Sequence, residues 1–287
     1  MTKVTKRLSV IGGFDLKLHV IALGILAVVS VVKSAFAADA SSPSPASISI
    51  DPAKIVDLTY PFDASTIYWP TEHPFVHEFE HAGIEEPGGY YYSAAKYTAP
   101  EHGGTHMDAP VHFNSTGMTV DQVPLTAMIG PAAVIDYSAR AANDRDAMLT
   151  VDDINRWEAA HGPIPNGAIV VARSGWGRFW PDKKRYLGTD LPGDVPHLRF
   201  PGYSAEAVDF LLQHRKVIAI ATDTASIDPG NSRDFPVHRH WLGANKPAFE
   251  NLAHAEKLPP AGAIIFCIPM KIGKGTGAPT RIFAVLP

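Results

Sequence analysis

The chain has 287 residues of ordinary globular composition, 46% hydrophobic and 19% charged, long enough to bury a core as one domain or as two closely merged lobes. Cys267 is its single cysteine, which excludes an intramolecular disulfide, and its neighbours Ile264, Ile265, Phe266 and Ile268 read as a buried strand rather than a reactive-thiol site. The net charge is −4 with no Lys/Arg cluster, which argues against nucleic acid as a partner and leaves a small molecule as the expected one.

The first element is a targeting segment. Lys3, Lys6, Arg7 and Lys17 precede an apolar run from Val20 to Val32, and Ala35-Phe36-Ala37 gives the small-x-small pattern of a cleavage site. Residues 1–37 are therefore read as a signal peptide. The apolar run is shorter than the ~20 residues that cross a bilayer, so no stable membrane anchor is expected. Export to the periplasm or beyond follows as the expected location. Residues 38–52, rich in Ser, Pro and Ala, read as a flexible N-terminus, and residues 53–287 as the folded domain. Removing the leader leaves 20 basic against 28 acidic residues, a net charge of −8.

Along the folded part, short apolar runs separated by Gly and Pro predict strands at Ile55–Leu58, Ala132–Tyr137, Ala168–Arg173, Val217–Thr222, Ala263–Ile268 and Arg281–Leu286, several of them buried on both faces. Two helices interleave with them. Val151–Ala160 follows Thr150 as N-cap, carries Asp152 and Asp153 in its first turn and stops before Gly162; Ala205–His214 follows Ser204 and aligns Ala207, Val208, Leu211 and Leu212. Strands alternating with helices imply a mixed α/β domain. His73, His77 and His81 have helical spacing, but Pro74 interrupts them and they read as a solvated segment. Gly273-Lys274-Gly275-Thr276-Gly277 lacks the spacing of a phosphate loop and sits just before the last strand.

The chemistry is concentrated in His102-Gly103-Gly104-Thr105-His106-Met107-Asp108-Ala109-Pro110-Val111-His112. His102, His106, Asp108 and His112 all occupy even positions, so an extended or looped backbone directs them to one side, whereas the glycines and Pro110 disfavour a helix. This is the pattern of a metal site. Imidazole and carboxylate donors without thiolate suit zinc, manganese or iron(II), in an open site that keeps a water rather than a closed structural one. A divalent cation lowers the pKa of its water and polarises a carbonyl, which makes hydrolysis the natural reaction. His112, set apart from Asp108 by Pro110, is the candidate acid/base. The crowded aromatics Tyr68, Trp69, Phe75, Tyr90, Tyr91 and Tyr92 could sandwich a planar aryl substrate or equally serve as core or subunit contacts; Trp69 and Tyr91 are the substrate-binding candidates among them. Asp223 and Ser226 follow a predicted strand end, where pockets form, while Asp228 reads equally well as a turn residue before Pro229-Gly230. His240 is set aside.

The His102–His112 motif, with Phe113 after it, resembles the signature of the metal-dependent cyclase-like hydrolase family, of the bacterial kynurenine formamidase and isatin hydrolase type. The likeness extends through Asp234-Phe235-Pro236-Val237-His238-Arg239, Glu250-Asn251-Leu252 and Pro269-Met270-Lys271-Ile272. The resemblance implies a swivelling β/β/α-type domain, a homo-oligomer (dimer or tetramer), and opening of an amide, arylformamide or cyclic imide or lactam. It implies His102, His106 and Asp108 as ligands of one metal, His112 as acid/base, and Asp108 bridging to a second metal held by His238 and Glu250. The expected cofactor is Zn2+, with two ions per subunit favoured by the presence of Glu250, or Mn2+. The alternatives are an ester or lactone hydrolase on the same site, or a non-catalytic periplasmic protein that binds metal or ligand.

Overall fold

Four of the strands in the computed structural model run parallel at its centre, in the order β5 (Ile129–Asp136), β7 (Ile169–Arg173), β9 (Ala219–Thr222) and β10 (Ala248–Glu250). The structure describes residues 49–287, so the predicted leader and most of the 38–52 segment lie outside the described residues. β10 pairs antiparallel with β4 (His106–Asp108), and β4 with the first half of β12 (Gly277–Val285). β12 returns through β11 (Ile264–Pro269) to β5, closing the sheet into a barrel, and β1 (Ile55–Asp57) lies along the far half of β12. The mixed α/β expectation is met. All six predicted strands are present with ends shifted by a few residues.

The central strands are apolar on both sides because each side meets a core. Val134, Ile169, Val171 and Ala221 face the barrel interior with Met107, Phe249, Ile265, Cys267 and Ile282. Ile135, Val170 and Ile220 face outward against Ile154, Trp157, Val208, Leu211 and Trp241 from the covering helices. These helices are Val151–His161, closed at its N-terminus by a reciprocal Thr150/Asp153 capping box, Ala205–His214, capped by the Ser204 side chain, and Pro236–Gly243. The last was not anticipated, although Pro236 at its first position is a helix-start signal. A third cluster, including Ile67, Trp176, Tyr186 and Phe200, packs beside the barrel mouth.

The segment containing His77 and His81 is solvated, as expected, but it is a strand. β2 (Val76–Glu85) and β3 (Tyr90–Thr98) form a two-stranded hairpin separate from the barrel sheet, and β6 (Met148–Leu149) and β8 (Gly202–Tyr203) form a short parallel pair of their own. Pro87-Gly88-Gly89 at the tip of the hairpin is a turn signal in the sequence, but the hairpin strands show no period-two alternation because both their faces are largely exposed. Phe79 and Tyr91 are 67% and 65% exposed.

Candidate metal centre

The motif is extended only at its middle. His106 and Asp108 sit on β4, with the buried Met107 pointing the other way into the barrel, so the period of two holds for this pair. The remaining two histidines arrive by bends rather than by a continuous strand. Gly104 takes φ +56, and a side chain there would meet the Phe62 ring at 2.6 Å, so glycine is needed for the turn that carries His102 back to the strand. His112 lies on a short 3-10 turn, Pro110–His112, and its ring stacks on that of His102 with centroids 3.9 Å apart.

One further strand and a helix complete the cluster. Glu250 ends β10 and pairs in register with His106, while His238 projects from the Pro236–Gly243 helix. The His106 Nε2 atom lies 3.2 Å from Asp108 Oδ1 and 3.5 Å from Glu250 Oε2. His238 Nε2 lies 3.2 Å from Asp108 Oδ2 and 3.4 Å from Glu250 Oε1, and His102 Nδ1 lies 2.7 Å from Asp108 Oδ1. Asp108 thus shows one oxygen to His102 and His106 and the other to His238. His102, His106 and Asp108 each present one donor atom within 4.8 Å of the others, and so do Asp108, His112 and His238. The second grouping holds His112, which the resemblance made the acid/base, whereas Glu250 faces both His106 and His238.

The rings are oriented from behind. His106 donates its Nδ1–H to the Gly104 carbonyl at 3.0 Å, which aims the Nε2 lone pair into the cluster. His238 Nδ1 contacts Asp228 Oδ2 at 2.7 Å, and the same carboxylate accepts the backbone N–H groups of Val237 and His238 at 3.0 Å. Asp228, which the sequence left open as a turn residue, therefore both caps this helix and aims a predicted ligand.

The charges are strongly coupled. Burial alone would raise the Asp108 carboxyl, but hydrogen bonds from His102, His106 and His238 hold it well below the usual carboxylate range. Burial opposes protonation of His106 and His238, yet the carboxylates outweigh it, lifting His106 to about 8 and His238 well above the ordinary imidazole value. Glu250 is raised, first by burial and then by the charge of Asp108. His112 is pushed down to about 4 by desolvation of its ring within the cluster, so it is neutral near pH 7. Buried ring nitrogens set against carboxylate oxygens demand positive charge between them. Protons on the rings supply it in the metal-free chain, and a divalent cation supplies it with the donor chemistry these residues offer, so the residues fit a metal centre.

The cluster forms the floor of a cavity of about 460 Å³. Its walls include Tyr68, Trp69, Phe113 and Phe235, with Ser226 and Asn251 near the floor and Glu72 and Glu101 as the carboxylates flanking it. Of the residues singled out as substrate contacts, Trp69 and Ser226 line this cavity. Tyr91 is not, because it sits on the exposed hairpin and does not line the cavity of its own chain. Asp223 is not a wall residue either. It is buried, accepting from the Ser174 and Trp176 backbone N–H groups at 2.9 and 3.1 Å, and so ties two loops of the fold together. Phe113, Phe235 and Asn251 are lining residues not singled out from the sequence as substrate contacts, because nothing local marks a side chain that reaches the cavity only after folding.

Residues 56–229 match the family described as "Putative cyclase", and with this fold and donor set the chain belongs to the cyclase family of metal-dependent hydrolases. Isatin hydrolase of Roseibium aggregatum is 37% identical over 196 residues, which cover 65% of this chain and 72% of that protein. Kynurenine formamidase of Salinibacter ruber is 25% identical over 229 residues, covering 79% of this chain and 95% of that one. The structure of isatin hydrolase A from Ralstonia solanacearum aligns with a TM-score of 0.75 at 30% identity, over 85% of this chain and 100% of that one.

Proposed function

We propose that the protein hydrolyses the C–N bond of a small, neutral aryl amide, with a cyclic lactam or imide of the isatin type as the preferred class. The observation that carries this reading is the pairing of a His/Asp/Glu floor with an aromatic wall of Tyr68, Trp69, Phe113 and Phe235 in one cavity. A divalent cation bound at that floor supplies a Lewis acid for the carbonyl and a water of lowered pKa. With a cation bound there, His112, neutral near pH 7, would take a proton from the attacking water and return it to the departing nitrogen as the C–N bond breaks. His102, His106, Asp108, His238 and Glu250 hold the cation, and Trp69 and Ser226 contact the substrate.

No Lys or Arg lines the cavity, and Glu72 and Glu101 border it, so a substrate bearing a free carboxylate finds no counter-charge within this chain. That favours a neutral ring over an amino-acid formamide. The formamidase reading is the second one, favoured by Glu250 standing within 3.5 Å of both His106 and His238 as a ligand for a second ion. Hydrolysis of isatin and of N-formylkynurenine by the same Zn2+- or Mn2+-loaded sample separates them. Preferential ring opening of isatin is expected; preferential cleavage of the formamide would assign the second reading, and metal binding without either activity would remove both substrates.

Two wider features belong to the same proposal. The leader read at residues 1–37 supports action outside the cytoplasm, in the periplasm or after secretion. The exposed hairpin β2–β3 supports a homo-oligomer, since it gathers the large, well-exposed apolar side chains Phe79, Ile84, Tyr90 and Tyr91, and such groupings mark interaction surfaces.

A further inference from the structure

The glycine-rich segment before the last strand, which has no phosphate-loop spacing, has a different use. Glu101 Oε2 accepts the backbone N–H of Thr276 at 2.8 Å, the backbone N–H of Gly277 at 3.2 Å and the Thr276 hydroxyl at 2.7 Å. Two amide N–H groups aimed at one oxygen make that oxygen an acceptor, so the single hydroxyl proton of Thr276 is committed to Glu101. The same hydroxyl oxygen lies 2.9 Å from His102 Nε2. With its proton spent, it can only accept there, which places a hydrogen on Nε2. The opposite nitrogen, Nδ1, faces Asp108 Oδ1 at 2.7 Å, where its hydrogen bond to the carboxylate gives way to the cation on loading.

The segment also leaves room for the ring. A side chain at Gly277 would meet His102 Cε1 at 2.5 Å and Nδ1 at 2.8 Å, so the imidazole is seated directly against a residue that has no Cβ. The seat is fixed to the motif by the Ala109 N–H, which donates to the Thr276 carbonyl at 2.9 Å. By contrast, His106 and His238 engage Gly104 and Asp228 through Nδ1 and present Nε2 to the cluster.

We propose that Glu101 and Thr276 are positioning residues that hold His102 in the Nε2–H form, so that His102 ligates the metal through Nδ1 while His106 and His238 ligate through Nε2. The inference rests on the metal-dependent reading of the site. Its test uses Zn2+ alone as the probe. In the uniformly 15N-labelled, Zn2+-loaded chain, long-range 1H–15N correlation should show His102 protonated at Nε2 and bound at Nδ1. Measured by competition with a chelating dye, Thr276→Val should weaken Zn2+ binding by ~10–100-fold, as loss of a partner behind a ligand typically does, and Thr276→Ser should restore it. Ligation of His102 through Nε2, or unchanged affinity in a folded Thr276→Val chain, would overturn the assignment while leaving the metal reading intact. A parent chain that binds no Zn2+ would overturn both. Should Thr276→Val not fold, the spectrum of the parent chain decides alone.

Discussion

At the scale of single residues, the buried cluster is held together by protons or by metal, and this competition has a sign. His106, lifted to about 8, carries a proton at pH 7 in the metal-free chain, and His238 is raised well above the ordinary imidazole value by the same carboxylates, whereas a ligating imidazole is neutral. Metal binding therefore releases one or more protons, and affinity should climb as pH rises through about 8 and fall on acidification. Titration calorimetry in buffers of different ionisation enthalpy measures the release; binding without it would contradict the coupled-charge description. His112, neutral at pH 7, is expected to act on the reaction rather than on the metal. His112→Ala should keep its metal and lose ~10²–10⁴-fold in turnover, as removal of a general acid/base does. Loss of metal from that variant would instead make His112 a ligand, in keeping with its distance to Asp108 and His238. Under the second, two-ion reading, Glu250→Ala should lower the metal content by one ion per chain, read by elemental analysis, and an unchanged content would remove the second site.

At the scale of elements, what the sequence discloses depends on how local its cause is. The helix Val151–His161 is legible because Thr150, Asp153 and Gly162 mark its ends within the segment itself. Thr150→Ala removes half of that capping box and should cost ~1 kcal/mol in chemical unfolding. The strands β5, β7 and β9 are legible because burial on both faces leaves nearly continuous apolar runs. The three-residue strands β4 and β10 are not, since their pairing exists only through closure of the ring. The β2–β3 hairpin escaped for the opposite reason, having no buried face to impose an alternation. If this hairpin forms the proposed subunit contact, the double substitution Phe79→Ser with Tyr91→Ser should shift the protein toward monomer in light scattering. An unchanged mass would take the hairpin out of the assembly.

At the scale of the whole molecule, barrel closure assembles the candidate metal centre. His106 and Asp108 on β4, Glu250 on β10 and His238 on a covering helix come from segments about 140 residues apart in sequence, and the β10–β4–β12 pairing brings them together. The spacing within His102–His112 exposed the metal chemistry because all its donors lie in one short stretch. His238 and Glu250 carried no such local signal and were reached only through the family resemblance. The orienting roles of Asp228 and of the Glu101–Thr276 pair were hidden for the same reason, as a side chain that orients a ligand from behind is defined by tertiary contact alone. The central claim is that this closed barrel presents a metal-dependent hydrolytic site to a neutral aryl amide. It is tested most directly by isatin ring opening in chain stripped of metal with a chelator and then resupplied with Zn2+ or Mn2+. Activity should vanish on stripping and return with the cation; turnover that persists in chain shown to be metal-free would contradict the account.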